Sequence, residues 1–87
     1  MTTKKNKKIT IYSTRICPYC SNAKAIFDNM HLEYNEIFID TDEARNAMIN
    51  KSNGHKTVPQ IFIDEHHIGG YTDLVQLVKN NKLEKLL

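Results

Sequence analysis

Cys17-Pro18-Tyr19-Cys20 holds the only two cysteines of an 87-residue chain, and it sits between stretches of different periodicity. Upstream, Lys8-Ile9-Thr10-Ile11-Tyr12-Ser13 is short, apolar and β-branched, as a buried strand is. Downstream, Ala23, Ile26, Phe27 and Met30 recur at helical spacing. The cysteine pair therefore falls where a strand turns into a helix. Cys17 takes the N-cap, and Pro18 the first helical position, where its missing N–H costs nothing. Unpaired backbone N–H groups and the positive end of the helix dipole favour an anion there, and the Cys17 thiolate is the anion available.

Two other uses of the pair fit less well. A four-residue disulfide loop restricts the unfolded chain little and so gains little from closure. A zinc site needs two more ligands, and His31, His55, His66 and His67 form neither a second C-x-x-C nor an H-x3-5-H pair at the usual distance. A C-x-x-C that follows a strand and opens a helix is a redox signal.

Composition bounds the rest. The length allows one domain with one compact core, and the 40% hydrophobic and 25% charged fractions are those of a globular protein. A net charge of +2 gives no argument for nucleic acid. The start, with Lys4, Lys5, Lys7 and Lys8, resembles the n-region of a signal peptide. No apolar stretch follows it, since Thr10, Ser13, Thr14 and Arg15 interrupt. Residues 1–7 are expected to be a solvated, flexible terminus and 8–87 the domain. No window reaches the length of a membrane span, and a vicinal cysteine pair suits a reducing cytoplasm.

After the first helix, the segment from Leu32 to Asp40 ends in an apolar run, as expected of a strand covered on both faces. Asp40 with Glu43 makes a capping-box pattern for a helix carrying Ala44, Ala47 and Met48, which Gly54 stops. Pro59 begins a strand running to Ile63, Asp64-Glu65 turns it, and His66-His67-Ile68 returns antiparallel. Thr72 is expected to cap a last helix with Leu74, Val75, Leu77 and Val78 facing inward, closed by Leu83, Leu86 and Leu87. The order β-α-β-α-β-β-α packs as a four-stranded mixed sheet with helices on both faces. Cys17 then lies at the carboxyl end of the first strand, where open α/β sheets place ligands.

Three stretches, Cys17-Pro18-Tyr19-Cys20, Thr57-Val58-Pro59 and Gly69-Gly70-Tyr71-Thr72-Asp73-Leu74, together resemble the signature of dithiol glutaredoxins in order and spacing. The resemblance covers the chain from about Lys8 onward and implies a thioredoxin-like α/β fold. It implies that Cys17 is the nucleophile of a glutathione-dependent thiol–disulfide oxidoreductase and that Cys20 resolves the mixed disulfide. It also implies glutathione as co-substrate, no metal or tightly bound cofactor, and a monomer. Glutathionylated or disulfide-bonded proteins would be its substrates, with glutathione reductase and NADPH acting through the glutathione pool and neither nucleic acid nor membrane as partner.

In such a protein Tyr19 would contact the bound tripeptide, core packing being its alternative. Val58-Pro59 would be cis, turning the Val58 backbone outward to pair with an extended peptide. The alternative is an ordinary trans proline opening an edge strand. Gly70, Thr72 and Asp73 would hold the carboxylate and ammonium of the γ-glutamyl end. Taken alone, that stretch also reads as a Thr cap with an Asp compensating the dipole. The glycine carboxylate needs a cation, and here the sequence departs from the pattern: the position three before the nucleophile is Thr14. Arg15, His55 and Lys56 are the remaining candidates, and Thr57 completes the expected contacts. Two other readings stay open. One is a thioredoxin-like redoxin reduced by a flavoprotein, against which stands the lack of Trp beside the pair. The other is a glutathione-ligated iron–sulfur dimer, which Pro18 disfavours by stiffening the loop.

Overall fold

The computed structural model of the chain describes residues 7–87, so the lysine-rich start lies outside it apart from Lys7 and Lys8. The elements are β1 (Ile9–Ser13), α1 (Pro18–Asn29), β2 (Asn35–Phe38), α2 (Asp42–Lys51), β3 (Gln60–Ile63), β4 (His66–Gly69), α3 (Tyr71–Lys79) and α4 (Leu83–Leu86). The strands form one mixed sheet in the order β2-β1-β3-β4, with β1–β2 parallel and the other two pairings antiparallel.

Alternation along β1 and β3 builds a core on each face. Ile9 and Ile11 of β1 join Ile61 and Ile63 of β3 beneath Ala23 and Phe27 of α1, Leu74 of α3 and Leu83 of α4. On the other face Tyr12 and Phe62 meet edge to face at 5.7 Å and pack with Ile39 and Met48 of α2. Phe27 is fully buried, so truncating it to Ala would cost about 3–5 kcal/mol.

Four expectations need correction. The apolar run at Ile37-Phe38-Ile39 does not mark a doubly covered strand: β2 is an edge strand, with Asn35 and Ile37 turned to solvent. The α2 cap is Thr41 rather than Asp40. Thr41 Oγ1 accepts from Ala44 N–H at 3.1 Å, while the Asp40 carboxylate pairs with Arg15. The α3 cap is Gly70 rather than Thr72, and Asp73 Oδ2 reaches back to accept from Gly70 N–H at 3.0 Å. Finally, α4 is a separate short helix, set off where Asn81 takes a φ of 58°.

Other turns follow the reading. Gly54 has a φ of 97° and donates to Ile49 O at 2.8 Å, ending α2. Asp64, with a φ of 52°, turns the β3–β4 hairpin. Its carboxylate accepts from Lys8 N–H at 2.9 Å, fastening the hairpin to the start of β1.

Candidate active site

Cys17 caps α1 with an extended backbone, and its Sγ accepts from Cys20 N–H at 3.1 Å. A sulfur thus takes the place of the usual capping oxygen. Pro18 follows at the first helical position, and no acidic side chain occupies the first turn. The helix dipole is therefore left uncompensated at this end. Cys17 and Cys20 are joined in a disulfide with Cα atoms 5.2 Å apart. The two sulfurs are not equivalent. Cys17 is half-buried at the surface, whereas Cys20, on the inner face of α1, is 1% exposed.

Beside the disulfide lies a groove of about 310 Å³. It is lined by residues of three segments: Tyr19, His55 with Thr57 to Pro59, and Gly70 to Asp73. The Val58–Pro59 bond is cis. Three chain segments far apart in sequence thus converge, because β1 and β3 are neighbours and α3 begins where β4 ends. Within this lining, the first-turn N–H groups of α3 lack intrahelical partners. Asp73 sets a carboxylate beside them.

Of the sequence-derived candidates, Tyr19, His55, Thr57, Val58, Pro59, Gly70, Thr72 and Asp73 come together in this groove. Arg15 does not. Its guanidinium bonds Asp40 at 3.0 Å and lies 4.2 Å over the Phe38 ring, on the β2 side of the molecule. Lys56 is exposed and does not line the groove. Tyr71 was not anticipated: its ring packs against Tyr19 with centroids 5.6 Å apart. Its position inside the Gly69–Asp73 stretch was the available signal.

Behind the groove wall, Gln60 is almost fully buried, and its Nε2 donates to Thr57 O at 3.1 Å and Thr57 Oγ1 at 3.3 Å. Its Oε1 meets His67 Nε2 at 2.7 Å, so that imidazole nitrogen carries the proton. Burial lowers the His67 pKa from its ordinary 6.5, and the nearby His55 adds to the effect. On the β2 side, Glu36 accepts from Ser13 Oγ at 2.6 Å and from Lys24 Nζ at 2.7 Å. Burial alone would raise the Glu36 pKa, but these two donors outweigh it and hold the carboxyl below 4.5. Among the described residues, no three His, Cys, Asp or Glu side chains gather as metal ligands, and no helix is long and apolar enough to cross a membrane.

Residues 9–68 match the family model described as Glutaredoxin. The chain is 48% identical over 81 residues to glutaredoxin 1 of Rickettsia typhi, covering 91% of this chain and 78% of that protein. It is 42% identical over 79 residues to glutaredoxin 3 of Escherichia coli K12, covering 91% and 95%. Among solved structures, a buckwheat glutaredoxin–glutathione complex superposes with a TM-score of 0.83 at 30% identity, covering 95% of this chain and 78% of that one. The glutaredoxin of Brucella melitensis superposes with a TM-score of 0.80 at 42% identity, covering 92% and 87%.

Proposed function

This chain belongs to the glutaredoxin family, in its dithiol class, and from that premise we propose that it reduces glutathione mixed disulfides through Cys17 and protein disulfides through Cys17 and Cys20. The thioredoxin-like fold and the vicinal disulfide are those of a thiol–disulfide oxidoreductase. The observation that carries the finer reading is the groove beside Cys17, whose lining includes a helix N-terminus and the Asp73 carboxylate. The γ-glutamyl end of glutathione bears a carboxylate and an ammonium on one carbon. The first-turn N–H groups of α3 suit the former, and Asp73 the latter.

In the glutathione route, the Cys17 thiolate attacks the glutathione sulfur of a protein–glutathione disulfide. The Cys17–glutathione bond forms, the bond to the protein sulfur breaks, and the protein leaves as a thiolate that takes up a proton. A second glutathione thiolate then attacks the bound glutathione sulfur, which releases glutathione disulfide and regenerates Cys17. In the dithiol route, Cys17 attacks a protein disulfide. Cys20 then attacks the Cys17 sulfur, frees the second protein thiol and closes the Cys17–Cys20 disulfide.

Tyr19, Thr57, Val58, Pro59, Gly70, Thr72 and Asp73 hold glutathione in this reading, with the Val58 backbone pairing to it like an added strand. For the glycine carboxylate, His55 is the candidate that lines the groove. Glutathione is a co-substrate, renewed by glutathione reductase and NADPH, and the protein works as a monomer in the cytoplasm. Glutaredoxin potentials of about −200 to −230 mV lie near the extracted glutathione poise of about −220 to −260 mV, so the direction follows the glutathione ratio.

The test is glutathione-dependent reduction of a small mixed disulfide, coupled through glutathione reductase to NADPH consumption. Wild type and Cys20→Ser are expected to turn over and Cys17→Ser is not. A silent wild type that becomes active with a thioredoxin-type reductase in place of glutathione would overturn the reading.

A further inference from the structure

Among the described residues, the large apolar side chains left exposed are Ile16, Tyr19 and Ile37, and two of these three stand within two positions of Cys17. Tyr19 belongs to the groove. Ile16 does not line it, and at 93% exposure it covers no part of the core either. An isoleucine in that position buries almost none of its apolar surface in the folded chain.

Its backbone is nonetheless held. Thr14 Oγ1 donates to Ile16 O at 3.3 Å, Arg15 before it is tied to Asp40 and Phe38, and Cys17 after it is fixed by the helix cap. The side chain is thus presented to solvent from an anchored segment, so little ordering remains to oppose a contact there. Its Cα lies about 3.8 Å from that of the reactive cysteine, the span of one trans peptide. The Arg15 and Asp40 charges beside it are paired with each other.

We propose that Ile16 is a specificity residue that docks the polypeptide half of a glutathionylated substrate, favouring cysteines flanked by apolar side chains. The inference rests on the glutathione reading above. With the glutathionyl half in the groove, the thiol that leaves must stay outside it, carried by a chain that passes over the surface bordering Cys17. Ile16 is the exposed apolar side chain there that glutathione does not need. A polypeptide carries side chains beside its cysteine that a small-molecule thiol lacks, so an apolar contact at this point selects protein over small-molecule substrates. The chemical step is unchanged: the Cys17–glutathione bond forms, the glutathione–peptide sulfur bond breaks, and the peptide thiolate takes up a proton.

The experiment uses three probes: the glutathione mixed disulfide of 2-mercaptoethanol, and two glutathionylated hexapeptides differing only in Leu or Ser beside the cysteine. Wild type is expected to prefer the Leu peptide by about tenfold in kcat/KM. That factor corresponds to about 1.4 kcal/mol, near the low end for burying an isoleucine. Ile16→Ser is expected to erase the preference while turnover of the small disulfide stays within about twofold. A preference that survives Ile16→Ser, an equal loss on all three probes, or a wild type indifferent to Leu and Ser each overturns the docking role. A wild type inactive on the small disulfide overturns the glutathione reading instead, so the two failures are distinct.

Discussion

The starts of α1 and α2 are built on the same plan and put to different uses. At α2, Thr41 Oγ1 accepts from the N–H three residues on at 3.1 Å; at α1, Cys17 Sγ does the same at the same distance. The contrast lies in the first turn. Asp42 and Glu43 compensate the dipole of α2, while Pro18 and Tyr19 leave that of α1 open. The start of α3 stands between them: Gly70 caps without a side chain, and Asp73 supplies one carboxylate. The start of α1 is thus an ordinary cap in which sulfur replaces oxygen and no first-turn acid takes the dipole.

Exchanging the caps gives the largest effect. Cys17→Thr keeps an acceptor at the cap, so its thermal midpoint should match that of reduced wild type. Glutathione-dependent turnover should fall by at least about a thousandfold, as loss of a nucleophile does. A lower midpoint, read by thermal unfolding followed by circular dichroism, would mean that the sulfur is also needed for the fold.

Next comes the third helix start. Gly69 has a φ of 121°, and a Cβ there would press into the Asp73 carboxylate that bonds Gly70 N–H. Gly69→Ala should therefore cost about 1–3 kcal/mol in urea unfolding. An unchanged urea midpoint would show that neither the positive φ nor the Asp73 contact penalises a side chain there.

A subtler comparison places sulfur at the other cap. With Cys17 and Cys20 both replaced by Ser, a Thr41→Cys thiol should react with iodoacetamide at pH 7 about fivefold to tenfold more slowly than Cys17 does in Cys20→Ser protein. Adding Asp42→Asn and Glu43→Gln should recover part of the rate. Equal rates at the two caps would break the argument from first-turn charge.

The smallest effect is at His67, which feels the Asp73 charge of the third helix start. Burial and His55 hold its pKa below 6.5, against the upward pull of Asp73. Below pH 6.5 the unfolded chain therefore binds a proton that the folded one resists, and stability falls as pH drops through that window. His67→Gln should flatten this part of the curve, measured by urea midpoints between pH 7 and pH 5. An unaltered slope would assign the dependence to other groups.

Much of this was legible in the sequence because it is local. The strand before Cys17, its cap and Pro18 are neighbours in the chain, and the Asp64-Glu65 turn fixes its own hairpin. The groove was legible only through the three-motif resemblance, since Tyr19, Val58 and Asp73 share no local pattern. What stayed hidden depends on tertiary competition. Asp40 and Thr41 are both good caps; in the fold Thr41 takes that role while the Asp40 carboxylate pairs with Arg15, a tertiary contact the local pattern does not show. Ile37 reads as covered because apolar runs do not reveal which strand ends at an edge. Thr72 reads as a cap because hydroxyls usually are. Instead, Asp73 reaches back to Gly70 and starts the helix earlier.

The convergence of the site from distant segments also sets an order in time. Thr57 follows Cys17 by 40 residues, which a ribosome adding about 5–20 residues per second makes in about 2–8 s. Over that interval β1 has no antiparallel neighbour, because β3 has yet to be synthesised. The growing chain thus carries a thiol before it has the groove that lies beside that thiol in the folded protein.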